Sequence, residues 1–210
     1  MSNPIKQKLK SILILLLVIL LSSVAGGSFA IHKIRTNTKE KNFMIQNGCW
    51  SVNPKMDLTD RYQRALISMI GLFALRESEV LYFIASQDSD GQPLSSEYNY
   101  ILEGTAPDTR YWSYTLYGED YFLVKNEANK FGFNLNNIQY LPDSSNLPEL
   151  PKNTRKNHQI SISSEPKGDN WLPCGNEQQF YINLRMYNPS PSVYQHLESV
   201  YLPKIKRVEQ

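Results

Sequence analysis

Cysteine and histidine are scarce in this chain: two of the first and three of the second among 210 residues. That is too few for the clustered Cys and His ligands of zinc sites, so no metal or other cofactor is expected. His32 borders an apolar segment, His158 falls at a polar loop and His196 in a terminal helix, so each reads as a solvated or packed residue rather than a ligand. Also missing are a G-x-S-x-G elbow, an H-E-x-x-H pair, a glycine-rich phosphate loop and a Cys-x-x-Cys pair. Each of these places a nucleophile, metal or phosphate by local geometry, and the common hydrolase, peptidase, nucleotidase and thiol-redox signatures go with them. The adjacent acids Glu119 and Asp120 can do general acid/base work only beside a further carboxylate, and otherwise read as a solvated turn.

The charge balance excludes another class. Of 22 Lys and Arg and 20 Asp and Glu, seven bases and one acid precede Asn42, which leaves 15 against 19 and a net charge of −4 on the rest. Binding to nucleic acid needs clustered cations that displace counterions, so no nucleic-acid partner is expected. The downstream basic cluster Lys204, Lys206 and Arg207 reads as a solvated terminus.

What the chain does have is an aliphatic run, residues 12–21, behind Lys6, Lys8 and Lys10, with no formal charge as far as Ile31. At about 1.5 Å per residue, roughly twenty helical residues cross a hydrocarbon core of about 30 Å. The organisation expected is a basic flank (1–10), a single transmembrane anchor (11–31), a linker (32–48) and one β-rich domain (49–208). A cleaved signal peptide is the rival reading, because Ser28-Phe29-Ala30 is a small-x-small triplet; cleavage would release a soluble exported form. Lys33, Arg35, Lys39 and Lys41 follow the span, so both flanks are basic and the positive-inside count does not choose a side. The domain is placed on the extracytoplasmic side of the membrane.

Within the domain, Leu58, Tyr62, Leu66, Met69, Ile70 and Phe73 recur at three- and four-residue steps, predicting an amphipathic helix over 57–75 with Asp57 as its cap. Arg61, Arg64 and Ser68 fall on its polar side, and Gly71 suits close approach to a sheet. The period then changes to two. Residues 80–85 and 98–102 read as a hairpin around Asp90-Gly91. In 110–117 the residues Trp112, Tyr114 and Leu116 face one way, and in 180–187 Phe180, Ile182, Leu184 and Met186 do so, leaving Tyr181, Asn183, Arg185 and Tyr187 on the second face. Shorter strands are read at 121–124 and 160–163, a long polar loop over 141–157, and a brief last helix from Pro191 to Val200. The fold class is therefore mainly β (α+β): an antiparallel β-sandwich or jelly-roll-like domain with one packed helix.

Five residues stand out as candidate ligand contacts. Arg185, flanked by Tyr181 and Tyr187, with Arg110 and Trp112 on a neighbouring strand, can clamp a carboxylate or stack on a ring; the alternative is pairing with an acid such as Glu103 or Glu119. Asn126 and Trp171 lie in apparent turns, where an Asn bonds local backbone and a Trp covers a sheet end. Cys49 and Cys174 suit one disulfide in an exported domain, the alternative being two buried thiols.

The ordered segments RALISMIGLFAL, EVLYFIASQDSDGQPL, YILEG, RYWSYTLYGEDYFLVKN, NWLPCG and FYINLRMYNP, ending LPKIKRV, resemble the domain of unknown function 1214 family over most of 50–208. The resemblance implies a mainly β, bacterial domain that often follows a membrane segment or signal, and it carries no agreed reaction or catalytic residues. The function expected is a membrane-anchored envelope domain that binds a small ligand or envelope partner without catalysis. The alternatives are an envelope hydrolase with an unrecognised carboxylate site and a structural subunit of an envelope complex.

Overall fold

A computed structural model of the chain describes residues 4–37, 44–53, 61–70, 75–142 and 156–208. They fall into two units. One holds two helices, α1 (Pro4–Asn37) and α2 (Arg61–Ile70). Within α1, Gln7–Ile34 is long and apolar enough to span a membrane or to serve as a signal sequence. The helix is longer than the segment read from hydropathy: on the C-terminal side it runs on through residues 32–37, where Thr36 returns its hydroxyl to the His32 carbonyl four residues back at 3.1 Å. In α2, Arg61, Arg64 and Ser68 are exposed, as its polar face requires. The cap expected at Asp57 and the close approach expected at Gly71 lie outside the described residues, as does most of the 141–157 loop.

The second unit is built from strands: β1 (Ile45–Asn47), β2 (Trp50–Val52), β3 (Val80–Ala85), β4 (Asn99–Thr105) and β5 (Thr109–Gly118). After them come β6 (Gly132–Asn134), β7 (Asn157–Ser163), β8 (Trp171–Pro173), β9 (Phe180–Pro189), the one-turn helix α3 (Pro191–Tyr194) and β10 (Lys204–Val208). They form two sheets, one ordered β1-β2-β3-β9-β5-β6 with every pair antiparallel, the other β10-β4-β7-β8 with a parallel β7–β8 edge. Alternation supplies each sheet with one apolar face. Trp112, Tyr114 and Leu116 of β5 and Phe180, Ile182, Leu184 and Met186 of β9 meet Tyr100, Leu102, Ile160, Ile162 and Ile205 of the smaller sheet, all but sealed from solvent. Each such side chain contributes about 1.5–3 kcal/mol when removed from water, which makes this β-sandwich core the main source of stability.

Several local expectations are corrected. β3 and β4 do not form a hairpin: the turn at Asp90-Gly91 closes with a Gln87–Pro93 bridge and Gly91 at φ 81°, but β3 pairs with β2 and β9 while β4 pairs with β10 and β7. Leu94, fully buried, pulls the chain across into the second sheet. No strand forms at 121–124; Tyr121 sits at φ 64° in a tight turn, Asp120 Oδ1 accepting from the Phe122 amide at 3.0 Å. The last helix stops at Tyr194, and the basic terminus is strand β10, paired along β4. Trp171 opens an edge strand rather than a turn. β6 was not foreseen; Gly132 lets it press on β5, because a Cβ there would overlap the Tyr114 carbonyl oxygen.

Candidate functional site

The side of the larger sheet facing away from the core carries the polar residues of β9 and β5. Strand register sets Thr115 opposite Asn183, Ser113 and Tyr82 opposite Arg185, and Tyr117 opposite Tyr181. Arg185 Nη1 donates to Thr115 Oγ1 at 3.1 Å, Nη2 donates to the Tyr117 hydroxyl, and the guanidinium carbon lies 5.4 Å from the Tyr117 ring centre. The guanidinium thus leans diagonally back along the sheet toward the Thr115–Asn183 pair. Burial, reinforced by Tyr187 and opposed by Arg185, raises the Tyr82 pKa above its ordinary value, and burial with Tyr121 and Glu119 nearby does the same at Tyr181. Both phenols are therefore neutral donors at physiological pH.

No acid among the described residues pairs with Arg185. Glu103, one expected partner, lies on the other sheet and binds Lys206 Nζ at 2.8 Å. Glu119, the other, is exposed at the turn after β5. Among the described residues Arg185 uses two of its five N–H groups, and a guanidinium with donors to spare on a part-buried face can take a planar anion in two parallel hydrogen bonds. Asn183, buried on the same face, has an acceptor oxygen with no donor among the described residues.

The other sequence candidates scatter. Trp112 shows no exposure and faces the core, where it stacks on His158 with ring centres 5.2 Å apart; one residue of register separates it from the face of Arg185. Arg110 is exposed at the start of β5, on the parity of Trp112. Asn126 holds a turn, its amide donating to the Val124 and Lys130 carbonyls while its oxygen accepts from the Lys130 amide. Trp171 donates from Nε1 to the Ser163 carbonyl at 3.1 Å. Tyr82, Thr115 and Tyr117 were not singled out, although alternation along 80–85 and 110–117 places them on the polar face.

Cys49 and Cys174 are both free thiols. Cys49 lies 4.0 Å from Ser89 Oγ, which accepts from the Ile205 amide of β10, whereas Cys174 follows β8 at the opposite edge of the smaller sheet. Three strand steps, about 14 Å, separate those edges, far beyond disulfide reach. Burial raises both thiol pKa values, that of Cys174 to about 11.

His158 is not in a solvated loop but on β7, fully buried, its Nε2 3.1 Å from the Tyr114 hydroxyl. Burial lowers its pKa to about 4. At one end of the unit a cleft of about 360 Å³ is lined by Gln92, Ser95, Tyr98, Gln179 and Arg207, but Arg207 is committed there to Asp88, 3.3 Å away, and to the Pro93 carbonyl. Asp120 and Glu177 approach across Gly118, their oxygens 3.1 and 3.0 Å from where its Cβ would stand. Among the described residues no group of three or more His, Cys, Asp or Glu side chains is placed to hold a metal ion.

A family model described as Protein of unknown function (DUF1214) matches residues 79–191. The chain is similar in structure to the VPA0106 protein of Vibrio parahaemolyticus, at 28% sequence identity and a TM-score of 0.55 over 71% of this chain and 35% of that one. A putative uncharacterized protein from Burkholderia cenocepacia matches at 16% identity and a TM-score of 0.41, over 65% of this chain and 31% of that one. The chain thus spans about a third of the length of these solved structures. No curated protein matches it.

Proposed function

The chain belongs to the domain of unknown function 1214 family, and from that premise we propose a membrane-tethered binding domain that takes a carboxylate-bearing ligand on its outer sheet face at Arg185, without chemistry of its own. The observation that supports this is a part-buried guanidinium held by Thr115 and Tyr117, with free donors and no acid beside it among the described residues. Holding a cation in this way costs free energy unless a counter-charge arrives, and a bound carboxylate is that counter-charge. The hydrolase alternative has less to draw on: Asp120 is committed to its own turn, and both it and Glu177 lie away from Arg185's strand positions. A structural-subunit reading draws on Phe122, 72% exposed beside Tyr121, Leu123 and Phe131 at the β5–β6 turn.

The test uses the full chain in detergent and titrates 3-phenylpropanoate against its uncharged amide, following the Arg185 side-chain N–H resonances. A charge-assisted pair is worth about 1.5–3 kcal/mol, so the acid should bind roughly ten- to a hundredfold more tightly than the amide. Arg185→Gln should remove the difference. Equal binding of acid and amide by the natural chain would end this reading.

We also propose that the domain lies outside the cytoplasm, behind the apolar helix Gln7–Ile34. Because both natural thiols are held protonated, a thiol at the exposed position of Lys167 reports sidedness better than either. Lys167→Cys should react with a membrane-impermeant maleimide in intact cells. Reaction only after lysis would put the domain in the cytoplasm.

A further inference from the structure

The carboxylate site has a second polar requirement next to the first. Asn183 lies two residues before Arg185 on β9, so both side chains leave the same face of the sheet. Directly across from Asn183 stands Thr115, the residue whose hydroxyl holds Arg185 Nη1. Cross-strand partners bring their Cβ atoms to about 4.5–5.5 Å, so the guanidinium and the Asn183 amide are near neighbours. Asn183 is 7% exposed and its oxygen has no hydrogen-bond donor among the described residues. An acceptor without a donor beside a cation without an anion defines a ligand that carries both missing groups on adjacent atoms.

We propose, resting on the reading above, that the ligand at this face is a carboxylate with a hydrogen-bond donor on the adjacent carbon, a 2-hydroxy acid or an N-acylamino acid, bound through Arg185 and Asn183 together. Arg185 takes the two carboxylate oxygens through N–H groups not used by Thr115 and Tyr117. The O–H or N–H on the neighbouring carbon donates to Asn183, whose terminal amide turns easily about its last torsion to present the oxygen at the surface. The rest of the ligand lies over Tyr82, Tyr117 and Tyr181, whose rings favour an apolar or aromatic body. A phosphate or sulfate ester would satisfy Arg185 and leave Asn183 unanswered.

Four probes separate the terms when titrated into the full chain in detergent: 3-phenylpropanoate, 3-phenyllactate, N-acetylphenylalanine and the amide of the last. One added hydrogen bond is worth about fivefold in affinity. The lactate and the N-acetyl acid should each bind about fivefold more tightly than the propanoate, and the amide should bind least. If only one of the two gains the advantage, the donor is identified as O–H or as N–H. Asn183→Ala should bring the three acids to one affinity, all still above the amide, and a circular dichroism spectrum matching that of the natural chain shows that the variant is folded. Equal binding of all three acids, or an advantage that survives Asn183→Ala, overturns the Asn183 role and leaves the carboxylate reading standing. Failure of every acid to outbind the amide overturns both.

Discussion

Arg207→Ala should destabilise the β-sandwich by about 3 kcal/mol, measured as a shift in urea unfolding of the full chain in detergent at pH 7. Asp88, 1% exposed, folds its own turn: one carboxylate oxygen accepts from the Asp90 and Gln92 amides at 3.1 and 2.8 Å, and the other lies 3.3 Å from Arg207 Nε. The Arg207 guanidinium covers Tyr98 at 3.9 Å and donates to the Pro93 carbonyl, so it fastens β10 to the connection between the two sheets. Removing one partner of a buried ion pair costs about 3–5 kcal/mol because the other is left charged and uncompensated. The lower end applies because 28% of the Arg207 side chain is exposed to water. Asp88→Asn in the same background keeps the turn's acceptor while removing the stranded charge, and should recover most of the loss. Lys206→Ala, one residue away, breaks a pair whose members are 54% and 50% exposed and should cost at most about 1 kcal/mol. Equal effects at 206 and 207 would show that burial of Asp88 is not what makes the pair matter.

Acid should weaken the same domain through His158. Its pKa is about 4 when folded, against an ordinary value of 6.5, because burial in the core disfavours the imidazolium. As pH falls through 6.5 the unfolded chain takes up a proton that the folded chain refuses, so the contribution is complete above pH 6.5 and is lost progressively down to about pH 4. A shift of this size corresponds to about 3 kcal/mol. Unfolding free energies measured between pH 7 and pH 4 should show this slope, and His158→Phe, which keeps a ring against Trp112 and Tyr140, should flatten it at the cost of the Tyr114 hydrogen bond. An unchanged slope in that variant would assign acid sensitivity to the carboxylates instead.

How much of this was legible beforehand depended on the range of the interactions involved. The two-residue alternation through 110–117 and 180–187 was legible because it is local, and it divided core from surface on β5 and β9 correctly. The pairing of β3 was not: residues 80–85 are followed by a genuine turn, but their hydrogen bonds are made with β9, about a hundred positions away, and local pattern carries no information about that choice. His158 read as a loop residue because polar neighbours surround it in sequence, while its ring is enclosed by Trp112 and Tyr114 of β5 and by Tyr140 from the connection after β6. The disulfide expectation failed for a related reason: spacing along the chain says nothing about which edge of a sheet each cysteine occupies.

The amino-acid sequence by itself determined an apolar helix of membrane-crossing length, a mainly β domain of one family, a mildly acidic surface and an outward row containing Asn183, Arg185 and their tyrosines. All follow from composition and short-period pattern, which act within a few residues. Tertiary structure decided that among the described residues Arg185 meets Thr115 and Tyr117 instead of a carboxylate and Asn183 lies beside it without a donor, and that Asp88 closes on Arg207. Those outcomes depend on strand register, and register is set by the packing of both sheets at once.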